Sequence, residues 1–202
     1  MLVHVMRVFP VRFSQRLLWL LLAPALALVV SLAIMTPASA SGPAPDKAVA
    51  LFEGGFLVNM IDHHAMAVEM GEMCVEKATH EDLRDLCEEI IETQSEESET
   101  MQGWLEGWYS VSYEPQMSPG EIRQMERLAS LSGSEFEIKF MQDMAQHHKI
   151  TIQNAERCVN RTYHDDLMNL CEGIIGTQES EIEEMRTWLC EWYDRCRGKK
   201  VE

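Results

Sequence analysis

The fold is decided by two stretches of sequence that repeat one another, FLVNMIDHHAMAVEMGEMC at residues 56–74 and FMQDMAQHHKITIQNAERC at residues 140–158. The match extends without a gap over residues 56–109 and 140–193, at a constant offset of 84, and 24 of the 54 positions are identical. Such self-similarity indicates a duplication within one chain. The sequence therefore predicts two copies of one structural unit, joined by a linker at residues 110–139.

Each copy is predicted to form a helical hairpin. Apolar residues recur at spacings of three and four on both sides of a short polar segment, which is Lys77-Ala78-Thr79-His80 in the first copy. Because the connection is so short, the two helices must run antiparallel. One hairpin buries its apolar faces poorly, whereas two can pack as a four-helix bundle with approximate two-fold symmetry. We therefore expect an all-α fold.

The linker carries a strong helix-start signal at Ser118-Pro119-Gly120-Glu121, with Ser at the cap, Pro at the first position and Glu at the third. This pattern predicts a short crossing helix that ends near Leu131. Ser134 with Glu137 repeats the spacing of a capping box, and we expect it to open the third long helix.

The first 40 residues differ from the rest of the chain. Three arginines without an acidic residue precede an apolar run at residues 17–35, and Ala38-Ser39-Ala40 follows. This order is typical of a cleaved signal peptide, residues 1–40, and it predicts an exported single domain at residues 41–202. The alternative is an uncleaved membrane anchor, because the run is long enough to span a bilayer. Pro24 and the Ala-x-Ala end favour cleavage, after which we expect no contact with a membrane.

Removal of this leader would make the chain more acidic. The formal net charge of the whole sequence is −16, and the loss of three arginines leaves 14 basic against 33 acidic residues, a net of −19. Such a charge repels nucleic acid and anionic lipid and attracts cations. A nucleic-acid partner is therefore not expected, while a metal ion is compatible with the charge.

The six cysteines are predicted to form disulfides, because exported proteins fold in an oxidising compartment. Cys74 and Cys87 flank the first turn, and Cys158 and Cys171 flank the second. We expect one bridge within each hairpin, and Cys190 with Cys196 remain as a third pair. Other pairings stay open from sequence alone. Thiolate ligation of a metal is less favoured, since the sequence contains no Cys-x-x-Cys pair.

These bridges would fix the register of each hairpin. Antiparallel helices rise equally per residue, so a bridge between Cys74 and Cys87 places His64 level with Glu97 and Met60 level with Met101. The second copy places its equivalents in the same way: His148 with Glu181 and Met144 with Met185. We expect a Met, His, Glu and Met cluster roughly two to three turns from each bridge, with the two clusters facing each other.

Thioether sulfur and imidazole nitrogen together are the donors expected for copper, and for Cu(I) more than Cu(II). Glu97 and Glu181 could each orient a histidine or complete a Cu(II) shell. Adjacent His63 and His64 point about 100° apart on a helix. We therefore expect one of them to face the hairpin interior and the other to turn toward a neighbouring helix or the bundle surface.

Other interpretations compete with copper binding. Methionines at helical spacing commonly fill cores, and a buried His–Glu pair can simply fix packing. A metal-free structural or protein-interaction module is therefore the main rival, and its partner is not indicated by the sequence. A ferritin-like di-metal oxidase would need Glu-x-x-His on two helices, and this motif does not occur in the sequence. No Ser/His/Asp set, phosphate loop or haem motif points to another enzyme class.

Two further residue sets have structural explanations. Trp104, Trp108, Trp188 and Trp192 are expected to close the ends of the core. His80 and His164 begin the second helix of each hairpin, and we expect local capping or surface positions for them.

The motif Met60-x-x-His63-His64-x-x-x-x-x-Met70, followed by Gln94-x-x-Glu97-x-x-x-Met101, resembles the DUF305 family of exported bacterial proteins. The segment 131–136 before Met144-x-x-His147-His148 resembles the same family. The resemblance implies a ferritin-like helical bundle, a periplasmic or secreted location, and a copper-binding role that some members have. The residues that would carry this role are Met60, His63, His64, Met70, Met101, Met144, His147, His148 and Met185. The second copy departs from the motif at Asn154, where the first has Met70.

Overall fold

The computed structural model describes residues 42–196, so the predicted leader and the last six residues lie outside the described part. This part is all-α, as predicted, and contains no strand between residues 42 and 196. Its helices are α1 (Lys47–Lys77), α2 (Glu81–Tyr109), α3 (Pro119–Ala129), α4 (Gly133–Val159) and α5 (Asp165–Tyr193). Within the described residues, no helix is long and apolar enough to cross a membrane.

Two disulfide-bridged hairpins form the bundle, α1 with α2 and α4 with α5. The three predicted bridges are confirmed: Cys74–Cys87, Cys158–Cys171 and Cys190–Cys196. In the first two, the Cα atoms are 6.0 and 6.3 Å apart, a separation typical of disulfides. The bridges join the two helices of each hairpin next to its turn, which fixes the register along both helices.

The two hairpins pack against one another through α1 and α4, which run antiparallel. The turn end of the first hairpin, with Cys74 and Leu86, shares an apolar cluster with Phe136 and Leu189 at the open end of the second. A separate cluster joins the open end of the first hairpin to the turn of the second. The repeats are therefore related by an approximate two-fold axis that passes through the middle of the α1–α4 contact.

Two buried carboxylates join the hairpins at their turns. Glu137 of α4 accepts hydrogen bonds from the backbone N–H of Thr79 and of His80, the latter at 3.0 Å. Glu53 of α1 accepts the equivalent bonds at the other turn, among them one of 3.1 Å from the backbone N–H of His164. Both carboxylates are fully buried, and each therefore fixes the start of a helix in the opposite hairpin.

The same two carboxylates accept side-chain hydrogen bonds from Tyr109 and Thr162 at Glu53 and from Tyr193 and Thr79 at Glu137. Burial acts to raise the pKa of each carboxyl, but these donors outweigh it and lower the pKa of both to about 2. Both groups therefore stay ionised, and the hydrogen bonds to them are charge-assisted.

The linker differs in part from the sequence prediction. The capping box at Ser118 and Glu121 is present and starts α3 at Pro119, as expected. The capping box expected at Ser134 and Glu137 is wrong, because the Glu137 carboxylate is turned toward the first hairpin. Instead α4 begins at Gly133, whose φ of 55° favours glycine, so residues 133–139 are helical and not part of the linker.

The tryptophans close the two ends of the core, as expected, and each end includes a histidine of the opposite hairpin. Trp108 stacks on His164 with ring centroids 3.8 Å apart, and Trp192 stacks on His80 at 3.9 Å. Neither histidine side chain caps its own helix. His164 is buried, so a surface position was wrong for it; its Nδ1 lies 2.8 Å from Glu53.

Candidate metal centre

The centre of the α1–α4 contact is formed by His63 and His147, the equivalent residues of the two copies. Their rings are stacked, with centroids 3.5 Å apart and planes inclined by 5°. The Nε2 of His63 lies 3.3 Å from the carbonyl oxygen of His147, and the Nε2 of His147 lies 3.1 Å from the carbonyl oxygen of His63. Because a carbonyl can only accept, both Nε2 atoms carry the proton, and Nδ1 is the basic nitrogen of each neutral ring.

The other histidine of the first copy faces the interior of its own hairpin, as the helical geometry predicted. His64 is fully buried, and its Nε2 lies 2.7 Å from Glu97 Oε2. The carboxylate accepts a hydrogen bond from Nε2–H, so the lone pair of the neutral ring lies on Nδ1. That Nδ1 is buried without a hydrogen-bond partner.

In the second copy, His148 and Glu181 occupy the equivalent positions. Their Nε2 and Oε2 atoms are 2.6 Å apart, but the angles do not meet hydrogen-bond geometry, so both atoms are without a hydrogen-bond partner. His148 Nδ1 is likewise unpartnered, although the ring is fully buried. The second His–Glu pair is therefore aligned less well than the first. In both hairpins the histidine lies level with the glutamate, as the register predicted.

The environment of the central pair keeps its rings neutral. Burial lowers the pKa of His63 to about 4, and it also lowers the pKa of His147 well below its usual value. Positive charge on neighbouring histidines would lower the pKa of His147 further. Neutral imidazole is the form that binds metals. The central histidines are thus held in the protonation state that a metal ligand needs.

The methionines lie in the apolar clusters on either side of the histidines. Met60 and Met101 are buried together in one cluster, and Met144 and Met185 are buried in the other. The expectation that these two sets face one another directly is therefore wrong, because the antiparallel packing of α1 and α4 carries them to opposite sides of the central pair. Met70, which the family motif groups with Met60, packs in the cluster of Met144 and Met185.

Two buried glutamines belong to this region and were missed as candidate site residues. Gln94 and Gln178 are each 2% exposed, and they occupy equivalent positions one turn from Glu97 and Glu181. Both amide atoms of Gln94 and the Oε1 of Gln178 lack hydrogen-bond partners. A buried amide without hydrogen-bond partners destabilises the fold. The presence of glutamine at this position in both copies was therefore the sequence signal that these residues do more than fill the core.

A groove leads from the surface to one side of the centre. It has a volume of about 990 Å³ and lies between α1, the linker and the C-terminal half of α4. Met60 and His63 are among the residues that line it. A smaller cavity of about 300 Å³ includes both His63 and His147 in its lining. Met60, His63 and His147 are thus the predicted donors that line these two cavities.

Within residues 42–196, no three His, Cys, Asp or Glu side chains are clustered closely enough to hold a metal ion on their own. A di-metal carboxylate centre of the ferritin type would require such a cluster. The buried imidazole nitrogens and the thioethers of Met60, Met101, Met144 and Met185 therefore make up the remaining donor set, which is chemically suited to a soft ion.

A comparison with models of protein families shows which family the chain belongs to. The model of the family described as a domain of unknown function, DUF305, matches residues 53–189. The chain belongs to the DUF305 family. Its matched region includes both His-His motifs, both His–Glu pairs and the linker helix, so the family assignment covers the whole candidate centre.

Solved structures of DUF305 and related proteins share this fold. CopM in its Cu(I)-bound form is 28% identical, with a TM-score of 0.63 over 70% of this chain and 97% of CopM. A Streptomyces coelicolor DUF305 protein regarded as secreted is 29% identical, with a TM-score of 0.62 over 69% of this chain and 93% of its own. A DUF305 fragment from Deinococcus radiodurans is 24% identical and shares the fold, with a TM-score of 0.62 over 73% of this chain and 97% of the fragment. No match was found among curated proteins.

Proposed function

We propose that this DUF305 protein is exported and binds copper, with Cu(I) as the preferred ion, in order to hold or buffer it without catalytic turnover. The proposal rests on the orientation of three histidine rings. The Nε2 atoms of His63, His64 and His147 each donate to a carbonyl or carboxylate oxygen, which leaves the basic Nδ1 of each ring for a ligand. Metal-binding histidines are oriented in this way, with the second ring nitrogen fixed by a hydrogen bond.

The donors in the interior suit the ion. His64 Nδ1, His147 Nδ1 and His148 Nδ1 are buried and unpartnered, and a bound ion would compensate the cost of burying them. The thioethers of Met60 and Met101 lie on one side of these rings, and those of Met144 and Met185 lie on the other. The remaining candidate ligands are the carboxylates Glu97 and Glu181 and the thioether of Met70.

Preference for Cu(I) follows from the kind of sulfur available. The described part of the chain has no free cysteine, so thioethers are its soft donors. A thioether is uncharged and needs no deprotonation, and it favours Cu(I) over harder ions. Among the related structures, CopM was solved with Cu(I), with Cu(II) and with silver. Silver(I) is also a soft monovalent ion, which supports the same donor preference here.

Thermal denaturation with and without Cu(I) tests this function. Cu(I) supplied anaerobically as its acetonitrile complex, without thiols that would reduce the disulfides, should raise the Tm of the wild type by mass action. The double variant His64→Ala/His148→Ala should lose that rise. Since the two alanines also remove the histidines that lie beside Glu97 and Glu181, circular dichroism must first show that the metal-free variant is folded. Met125→Leu, a core change on α3 outside the donor set, serves as the control.

The outcomes separate copper binding from its main rival, a metal-free interaction module. A variant with the same copper-dependent rise as the wild type would show that the proposed donors are wrong. A wild type whose Tm does not respond to micromolar Cu(I) would favour the interaction module, in which the His–Glu pairs only fix the packing of the hairpins.

A further inference from the structure

The groove beside the candidate centre carries two arginines whose charge is not neutralised. Arg157 lies in the last turn of α4 and Arg161 in the turn that follows this helix, and both line the groove. Neither forms an ion pair within 4.0 Å in the described part of the chain. The Arg161 guanidinium lies over the ring of Phe52 at 4.2 Å, and Arg157 has only a long hydrogen bond of 3.4 Å to Asn154.

Unpaired arginines are unexpected on this protein, since its sequence has a formal net charge of −16. The acidic side chains that line the same groove bond to linker residues and not to the two arginines. Asp62 accepts from the hydroxyl of Tyr113 and from the backbone N–H of Gln116, and Glu121 accepts from the backbone N–H of Ser118. The groove therefore has a positive end at Arg157 and Arg161, and its two carboxylates, which remain negatively charged, lie at the other end near His63 and the linker.

The distance between the two ends suits a small molecule. From the antiparallel pairing of His63 with His147, the helical rise places Arg157 roughly 10 Å along the bundle from Met60. The groove volume of about 990 Å³ lies at the upper end of the range for small-molecule sites. Its walls combine apolar side chains, among them Phe52 and Phe56, with polar groups from the linker.

We propose that this groove receives copper as a small anionic Cu(I) complex, with the carboxylates of the carrier held by Arg157 and Arg161 and its copper directed toward Met60 and His63. The inference rests on the proposed copper-binding function and names the form in which the ion is delivered. An acidic protein repels anions at long range, so two guanidinium groups without an ion-pair partner, in the same groove as the donors, supply a local attraction for the carrier. Copper then passes from the carrier to the protein by ligand exchange, without a change of oxidation state.

Stopped-flow measurement of copper capture tests this proposal. Two Cu(I) sources are compared: the bicinchoninate complex, whose ligands carry carboxylates, and the acetonitrile complex, whose ligands are neutral. In Arg157→Ala/Arg161→Ala, capture from bicinchoninate should slow by about tenfold, within the range of electrostatic effects on association rates, while capture from acetonitrile stays unchanged. High salt should reduce the difference between the wild type and the variant in the rate of copper capture from bicinchoninate.

Two further variants control for charge and structure. Arg157→Lys/Arg161→Lys keeps the positive charge and should retain most of the rate from bicinchoninate. Arg123→Ala/Arg186→Ala removes the same charge from residues that do not line the groove, and it should leave both rates unchanged. Equal bicinchoninate rates in the wild type and in Arg157→Ala/Arg161→Ala would overturn the groove proposal. A wild type that takes up no Cu(I) from the acetonitrile complex would overturn the proposed function itself.

Discussion

His63 and His147 stack on the approximate two-fold axis of the bundle, 3.5 Å apart, and each Nε2–H is directed to the backbone carbonyl of the other. The pair joins α1 and α4 where the two helices cross, and burial keeps both imidazoles neutral. If both rings were protonated, two like charges would lie within van der Waals distance, which strongly disfavours this arrangement.

The metal-free protein should therefore become less stable as the pH falls from about 6.5 to about 4. In this window the unfolded chain binds a proton at His63, whereas the folded protein does not, because its pKa there is about 4. Proton binding at His63 in the unfolded chain lowers the free energy of unfolding by up to about 3 kcal/mol, and His147 adds to this loss. Urea denaturation across this range measures the effect. His63→Gln/His147→Gln should flatten the profile, and an unchanged slope would contradict the assignment.

Glu53 and Glu137 should control stability in a lower pH window. Their pKa of about 2 lies below the ordinary value of 4.5, so their contribution is complete above pH 4.5 and is lost as the pH falls toward 2. Glu53→Gln or Glu137→Gln should each cost about 3 kcal/mol at pH 7, as a shift of this size implies. Thermal denaturation gives the comparison, with exposed Glu99→Gln as the control. A loss below 0.5 kcal/mol, about the size of a surface change, would rule out the role.

The hairpin disulfides should contribute more than the C-terminal one. Chain-entropy estimates give about 3 kcal/mol for a bridge with the separation of Cys74–Cys87 and about 2 kcal/mol for Cys190–Cys196. Cys→Ala at both members of each pair, followed by urea denaturation, measures these values. Removal of the first pair should also weaken copper binding, since it releases the register of His64 with Glu97. An equal loss from both pairs, without an effect on copper, would argue against that coupling.

Replacement of thioethers by isosteric side chains should separate copper binding from packing. Met101→Leu/Met185→Leu nearly keeps the volume of both buried side chains, so the metal-free stability should change by less than about 1.5 kcal/mol for each substitution. The affinity for Cu(I) should fall by about tenfold or more, while Cu(II) binding changes little. Competition titrations with a colorimetric chelator measure both ions. Met125→Leu should leave both affinities intact, and equal Cu(I) affinity in the double variant would exclude sulfur ligation.

The sequence was sufficient for the features that arise within one hairpin. The repeat predicted the helices, and the oxidising compartment expected for an exported protein predicted the disulfides. The bridges then fixed the register that places His64 beside Glu97 and His148 near Glu181. All these relations follow from equal helical rise along two helices joined by a short turn.

Relations between the hairpins could not be obtained in this way, because nothing in the periodicity of α1 or α4 states how far one is shifted along the other. The separation of Met60 from Met144, and the position of Met70 in the opposite cluster, depend on this shift. Glu53 and Glu137 were missed as a linking pair for a second reason. They lie just outside the continuous repeat that begins at Phe56 and Phe140, although Phe52-Glu53 also matches Phe136-Glu137 at the same offset.

X-ray absorption at the copper K-edge, on protein loaded with Cu(I) and freed of excess metal, tests the central claim most directly. We expect an edge typical of Cu(I) and a first shell that contains both nitrogen and sulfur. His64→Ala/His148→Ala should reduce the amount of copper retained and the imidazole scattering from it, and Met101→Leu/Met185→Leu should reduce the sulfur contribution. A first shell of oxygen or nitrogen without sulfur, or a protein that retains no copper after desalting, would contradict binding by buried imidazoles and thioethers.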